Sequence, residues 1–410
     1  MQKHHHIEVF EHERLTLGEK DFRQTHLDAL LQLNDRNDGR YFEPVFQGVK
    51  FNQFVGIIQV DGLVIDIHPK ADRNDPDSKW RGVLLHMLTT CGKIRPATTG
   101  AAHVQRQHLN LLEIYFSIYL EELEKLLHLG LVKNYRRKTS NLHSLKGKLE
   151  FAGHIQKNLV HRERFYTTHQ IYDHDHVLHR ALLTALDIVE RCTRATWLHD
   201  QVRRIQFAFP EMETGNINES QLDRIQLNRK TQHYEYALEI ARLIILHYSP
   251  DIHSGQERML AILFDMNELW EEYIYAVLRH QGQREGFEVK AQESKPFWGS
   301  TTLRPDIVVE KDGKTTVLDT KWKLPKNGQP GTADLRQIYA YCRFWGAEKG
   351  VLIYPGIAGI TQSKIYEIVD LLEDGFNELG TVKHKAEVWK VPADPDGSEL
   401  EMRNRIINYV

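Results

Sequence analysis

Cysteine is scarce in this chain of 410 residues: Cys91, Cys192 and Cys342 are the only three, and neither a CxxC pair nor a disulfide-like spacing joins them. That excludes a disulfide framework and a cysteine-rich zinc site, and it fits a reducing cytoplasm in which thiols serve as small hydrophobes. No apolar run approaches the roughly 20 residues that cross a bilayer, and no secretory signal opens the sequence, so no membrane association is expected. Charge of one sign is lacking too. Fifty-three basic and 56 acidic residues leave a formal net charge of −3, so contact with a polyanion must come from a local patch or through a partner. A phosphate-binding glycine loop is also missing. Gly313-Lys314-Thr315 ends like one, but the earlier glycine would fall at Val308, inside a strand-like run. If nucleotide energy is used, another protein supplies it.

What is present divides into three segments, since this length accommodates two or three cores. Residues 1–95 read as a small β-rich domain: Phe54–Val60 and Leu63–Ile67 flank Asp61-Gly62, a hairpin turn signal, and Trp80–Cys91 reads as a short closing helix. Ile94–Gln107 is the best linker. Residues 96–256 read as mainly helical, with apolar spacing that predicts helices over Leu109–Leu129, Leu178–Trp197 and Tyr234–Tyr248. Between the first two lies Leu131–Leu149, basic and without an acid. There Arg136, Arg137, Lys138, Lys146 and Lys148 form a candidate contact for nucleic acid or an acidic partner, or else a solvated basic loop. Residues 257–410 alternate helix and strand, the pattern of an α/β domain. The expected fold class is therefore a multidomain α+β or α/β protein.

The third segment carries the most informative pattern. Arg304-Pro305-Asp306-Ile307-Val308-Val309-Glu310 and Thr315-Thr316-Val317-Leu318-Asp319-Thr320-Lys321 flank a turn centred on Asp312-Gly313. With that turn, Lys311 faces Lys314, the ladder sets Asp306 opposite Asp319, and Lys321 points the same way two residues on. Two carboxylates about 5 Å apart repel by about 3 kcal/mol at an effective dielectric near 20. A hard cation such as Mg²⁺ converts that repulsion into attraction, and a lysine beside it can hold a nucleophile or counter phosphorane charge. A salt-bridged surface pair is the bland alternative, but the flanking residues are apolar, as in buried strands. The chemistry indicated is metal-dependent phosphodiester hydrolysis.

Two helices add candidates. A helix over Ile262–Leu278 would carry one apolar stripe with Glu271 at its margin, able to supply a third metal-binding carboxylate or to form an ordinary salt bridge. A helix over Ala333–Trp345 puts Gln337 and Tyr341 on one face, where Gln337 could bind the attacking water or a base. His169, Asp173, His174, Asp175, His176 and His179 cluster without a zinc spacing, and capping of the following helix by Asp173 or Asp175 explains the acids better.

Taken in order, several segments resemble the McrC family, the nuclease subunit of the McrBC modification-dependent restriction system. They are Ile65-Asp66-Ile67-His68-Pro69-Lys70, Lys146-Gly147-Lys148-Leu149, Leu263 to Glu271, Leu303-Arg304-Pro305-Asp306, Leu318-Asp319-Thr320-Lys321, Asp334 to Tyr341, and Leu352-Ile353-Tyr354-Pro355. The resemblance implies a C-terminal PD-(D/E)xK nuclease fold in which Asp306 and Asp319 ligate Mg²⁺, Lys321 assists the nucleophile, and Glu271 and Gln337 lie around the site. It also implies a McrB-like, GTP-hydrolysing AAA+ ring as partner, which reads methylated cytosine in double-stranded DNA and whose GTPase is stimulated by the docked N-terminal part. One departure is His179, near where an asparagine is expected. A non-catalytic adaptor that activates an AAA+ ring, or a stand-alone nuclease with the same core, remains open.

Overall fold

The computed structural model describes residues 5–60, 63–69, 79–95, 110–193, 195–212, 217–250, 258–323, 329–355, 362–365 and 385–391. The chain forms two compact units that do not follow its linear order. Residues 1–56, 65–108 and 263–410 make one, and 57–64 with 109–262 make the other, whereas the sequence pattern divides at 95 and 256. Long-range bonds within the first unit explain the difference. Gln53 O accepts from Met266 N at 3.0 Å, Gln53 Nε2 donates to Asp265 at 3.1 Å, and Trp322 Nε1 donates to Glu11 at 2.8 Å. N- and C-terminal segments therefore share a core that no linear cut separates.

In this first unit the strands Arg14–Thr16, Phe42–Val45 and Gly48–Phe51 form a three-stranded sheet beside the helix Gln24–Arg36. Phe54–Val60 and Leu63–His68 neighbour each other in a second sheet, as the hairpin signal between them predicts, while the Asp61-Gly62 turn and most of the expected linker lie outside the described residues. The closing helix is present as Lys79–Thr90.

The frame of the candidate site is a six-stranded sheet in the order Glu288–Ala291, Ile307–Lys311, Lys314–Thr320, Lys349–Pro355, Lys385–Val391 and Gln362–Ile365. The second and third strands are the Asp312-Gly313 hairpin, with Lys311 opposite Lys314. Lys349–Pro355 runs parallel to the hairpin's second strand, reached through the helix Thr332–Trp345. Alternation sends Val308, Val317 and Leu352 to one face, where they pack on Ile338, Tyr341, Cys342 and Trp345 of that helix. The approach is close: a Cβ on Gly350 would stand 2.6 Å from Cys342 Sγ and from Ile338. The helix Met266–Glu285 serves the opposite face, its buried Trp270 donating to Ile353 O at 3.4 Å.

The start of that last helix differs from the expected one. Ile262 and Leu263 belong to the strand Arg258–Asp265, and the helix begins after Asp265, whose carboxylate accepts from Asn267 N at 2.8 Å. An apolar run fits strand and helix equally; the capping aspartate decides between them.

The second unit is largely helical, with Leu111–Leu129, Val177–Cys192, Thr196–Ala208 and Glu235–Leu246 burying continuous apolar faces. Two expected helices are shorter here. Leu178–Trp197 is two helices, because Thr193 turns to extended backbone, and Tyr248 begins the strand Tyr248–Pro250. A larger difference is Leu131–Leu149, read from the sequence as a basic contact stretch or a solvated basic loop with no strand expected. Asn134–Leu142 is a nine-residue strand paired along its length with Phe165–Asp173, and Lys148–Leu149 adds a third strand. Gly147 lies with φ 73° against Thr168, whose carbonyl would stand 2.4 Å from a Cβ, so only glycine fits the turn. Among the described residues no helix is long and apolar enough to cross a membrane.

Candidate active site

Strand alternation and the turn bring Asp306, Asp319 and Lys321 to the face covered by Thr332–Trp345. The ladder closes one pair before the acids, at Ile307 with Leu318. Asp306 holds its place through its side chain instead: Oδ2 accepts from Thr320 N at 2.6 Å and from Thr320 Oγ1 at 2.8 Å. Its carbonyl accepts from Gln292 N at 2.9 Å. Both side-chain bonds end on Oδ2, and Oδ1 has no bond among the described residues.

Asp319 is fully buried, at 0% exposure, beside Leu352 of the neighbouring strand. Its Oδ2 is 2.7 Å from Lys321 Nζ, while its Oδ1 has no hydrogen-bond partner among the described residues. Burial raises its pKa to about 7, and the charge of Asp306 pushes the same way against the pull of Lys321. Burial works on Lys321 in the opposite direction, but Asp319 more than offsets it and the ammonium is held above its ordinary range. Lys321 also donates to Gln337 Oε1 at 3.1 Å. Gln337 Nε2 donates to Tyr341 Oη at 2.9 Å, and Tyr341 Oη to Arg304 O at 3.1 Å. This chain ties the lysine, the helix and the entry to the hairpin together.

Glu271 stands on Met266–Glu285, half-buried, accepting from Gln292 Nε2 at 2.7 Å. Burial raises its pKa and the charge of Asp306 adds to the effect, so it lies within electrostatic reach of the site. It does not close a three-ligand cage: among the described residues no three His, Cys, Asp or Glu side chains converge on a metal-sized space. Asp306 Oδ1 and Asp319 Oδ1 are the oxygens available to a hard divalent ion, which often takes one or two carboxylates and completes its shell with water and substrate phosphate.

Sequence reasoning overlooked a second network. Asp334 is buried, bonded by Lys323 Nζ at 2.7 Å and by Tyr354 Oη at 2.9 Å. Burial works against its ionisation, but these two donors hold its pKa below the ordinary value, and its charge adds to that felt by Asp319. The signal was available: Lys323 continues the alternation of Asp319 and Lys321, and Asp334 opens the helix that carries Gln337.

The remaining expected residues lie elsewhere, in the second unit. Arg136 bonds Asp173 and stands 2.8 Å from buried Asp175, which also receives Arg180 at 2.6 Å. It is a structural cation at the root of the three-stranded sheet. Arg137, Lys138, Lys146 and Lys148 are exposed, the last 3.7 Å from Glu150. The histidine cluster holds no metal geometry. Capping of Val177–Cys192 by Asp173 or Asp175 is corrected as well: His176 occupies the N-cap and makes no capping bond, while Asp173 accepts from Asp175 N and Asp175 serves the arginines. His179 is buried between His174 O at 2.8 Å and Tyr234 Oη at 3.1 Å.

A family model described as "McrBC 5-methylcytosine restriction system component" matches residues 49–355, three-quarters of the sequence and the whole candidate site. The chain belongs to the McrBC family. Among curated proteins it is similar to the type IV methyl-directed restriction enzyme EcoKMcrBC of Escherichia coli strain K12, at 20% identity over 278 residues, covering 60% of this chain and 78% of that one. Among solved structures it matches a chain of the refined half-complex from the tetradecameric assembly of Thermococcus gammatolerans McrB AAA+ hexamers with bound McrC. The TM-score is 0.73 at 19% identity, with 99% of this chain and 100% of that one covered. The cryo-EM structure of the Thermococcus gammatolerans McrBC complex matches at TM-score 0.51 and 19% identity, over 67% of this chain and 88% of that one. For a member of this family, the mixed α/β multidomain architecture is as expected.

Proposed function

We propose that this chain is the Mg²⁺-dependent DNA endonuclease subunit of a modification-dependent restriction complex, working with a GTP-hydrolysing AAA+ partner whose GTPase it stimulates. One observation carries the proposal: a fully buried carboxylate, Asp319, has an oxygen without a hydrogen bond among the described residues, stands 2.7 Å from the Lys321 ammonium and feels the charge of a second carboxylate, Asp306. An unsatisfied buried charge costs several kcal/mol and persists where it serves a function. The strand order and the Asp306–Asp319–Lys321 arrangement support a PD-(D/E)xK assignment for the six-stranded sheet and its two helices.

Asp306 and Asp319 would hold the ion, with Glu271 as the further carboxylate near it. When bound, the ion supplies charge neutralisation at the phosphate and a water acidic enough to attack it. Thr320 fixes Asp306 by two bonds, so this ligand loses little freedom when it acts. Lys321, tethered by Asp319 and Gln337, directs an ammonium at charge that develops on the phosphate. Gln337 and Tyr341 orient that ammonium. Double-stranded DNA carrying modified cytosine is the proposed substrate, with recognition of the modified base assigned to the partner and cytoplasm as the site of action.

The deciding experiment is cleavage of methylated and unmethylated plasmid with Mg²⁺, with and without the AAA+ partner and GTP, comparing wild type with Asp319→Ala. Cutting that requires partner, GTP and methylation and disappears in the variant is the expected result. Cutting by the chain alone would indicate a stand-alone nuclease. Equal stimulation of the partner's GTPase by both versions, without any cutting, would leave an adaptor.

A further inference from the structure

The segment entering the carboxylate hairpin is a small ribbon. Among the described residues Lys295–Trp298 pairs only with Thr301–Leu303, in a two-stranded sheet of its own, closed by a two-residue turn in which Gly299 takes φ 56°. The register slips between Pro296 and Trp298, leaving Phe297 as a bulge, a device that re-aims side chains beside functional sites. Such a ribbon is marginal alone, and its base is anchored to the helix Thr332–Trp345. Phe297 meets Phe344 edge-on at 5.3 Å, Lys295 Nζ lies 4.7 Å over the Trp345 ring, and Trp345 Nε1 donates to Glu293 at 3.0 Å. Its tip is left in solvent: Trp298 is 80% exposed.

Two routes connect this tip to the candidate site. Along the chain, Thr301–Leu303 runs directly into Arg304, Pro305 and Asp306. Along the helix, Gln337, Tyr341 and Phe344 fall at i, i+4 and i+7 on one face, leading from the Lys321 ammonium to the ring that supports Phe297. Seven helical residues span about 10 Å, or about three base-pair steps of a duplex. Arg304, Arg336 and Arg343 are exposed around this track, and none enters an ion pair among the described residues. Exposed arginines on the elements that flank an exposed aromatic suit a polyanion with stackable bases. An isologous contact between two copies would set these arginines against their own counterparts.

We infer that the Lys295–Leu303 hairpin is a DNA-contacting wedge, in which Trp298 stacks on or between bases about three base pairs from the phosphate presented to Asp306, Asp319 and Lys321, while Lys295, Arg304 and Arg343 hold flanking phosphates. This rests on the endonuclease reading above. Inserted or stacked aromatics are a common way to bend or grip a duplex.

The test uses the full chain with its AAA+ partner, GTP and modified plasmid. Trp298→Ala is expected to lower the cleavage rate about tenfold or more and Trp298→Phe to restore it to within about threefold, with unchanged thermal melting because the side chain is exposed. In an Asp319→Ala background, p-benzoylphenylalanine substituted for Trp298 is expected to photocrosslink to DNA within about four nucleotides of the cut phosphate. A wild-type rate in Trp298→Ala, or crosslinks to a second copy or to the partner in place of DNA, would overturn the wedge while the nuclease stands. Absence of cutting by the wild type in every arm would remove the nuclease reading and the wedge with it.

Discussion

Two antiparallel strand pairs in this molecule carry dense charge, and they treat it in opposite ways. In Ile307–Lys311 with Lys314–Thr320, the strands are apolar and the charged side chains at the open end are withdrawn from water, with one carboxylate oxygen left unbonded. In Asn134–Leu142 with Phe165–Asp173, the cations are mostly exposed, and the half-buried one, Arg136, is neutralised by Asp173 and Asp175. The difference teaches how to weigh charge in a strand. Exposed cations cost nothing and imply little by themselves, whereas a buried, incompletely satisfied acid is retained against its own cost.

The sharpest way to break this contrast is at Asp319. Asp319→Ala should reduce plasmid cleavage by at least about a thousandfold. The isosteric Asp319→Asn separates function from folding. Because burial holds this acid at about 7 against an ordinary 3.8, the folded state keeps a proton that the unfolded chain releases between those values, so stability falls as pH rises from 3.8 to 7. At pH 8 without divalent ions, Asp319→Asn should therefore be the more stable by about 2 kcal/mol in denaturant titrations. Mg²⁺ should then raise the melting temperature of wild type alone; equal shifts in both would argue against Asp319 as a ligand. Lys321→Met is next, with a loss of about a hundredfold or more in cleavage rate and, above pH 7, a loss of stability, because it leaves buried Asp319 without its cation. A rate near wild type would return Lys321 to the class of ordinary ion pairs.

In the second unit the expected effects concern stability. Burial lowers His179 from 6.5 to about 4, so the unfolded chain takes up a proton between those values that the native state refuses. The contribution is complete above pH 6.5 and is lost as pH falls toward 4, by about 3 kcal/mol. His179→Asn should flatten that acid limb in a pH series of chemical unfolding, and an unchanged limb would exclude His179 as its source. Arg136→Ala leaves buried Asp175 with Arg180 as its remaining arginine and should cost about 2 kcal/mol. Arg137→Ala or Lys138→Ala should change stability by less than about 0.5 kcal/mol. A large loss on removing either would erase the distinction drawn between the two strand pairs.

The carboxylate hairpin was legible because its signals are local: a turn dipeptide, β-branched flanks, and acids at positions the register brings together. Gln337 and Tyr341 were legible as one helical face. The strand Asn134–Leu142 was not, since Asn-Tyr-Arg-Arg-Lys-Thr-Ser-Asn-Leu shows no apolar alternation and its partner begins 23 residues after it ends. The helix start at Met266 was blurred for the opposite reason, an apolar run from Met259 to Leu263 that suits either periodicity. Asp334 and Lys323 stand at positions the alternation and the helix start mark, but the bond from Tyr354 comes from a strand reached only after the intervening helix.

By itself the sequence determined the turn, the pairing register, the face shared by Val308 and Val317, and the nearness of Asp319 to Lys321, because backbone geometry and side-chain alternation act over a few residues. Only the tertiary structure decided the chemistry of those groups. Asp319 is held near neutrality by the strand and helix that exclude water from it, and Asp306 is aimed by Thr320 after the ladder has ended. Desolvation depends on what covers a charge, and here the cover comes from Thr332–Trp345 and Lys349–Pro355, segments the hairpin does not encode.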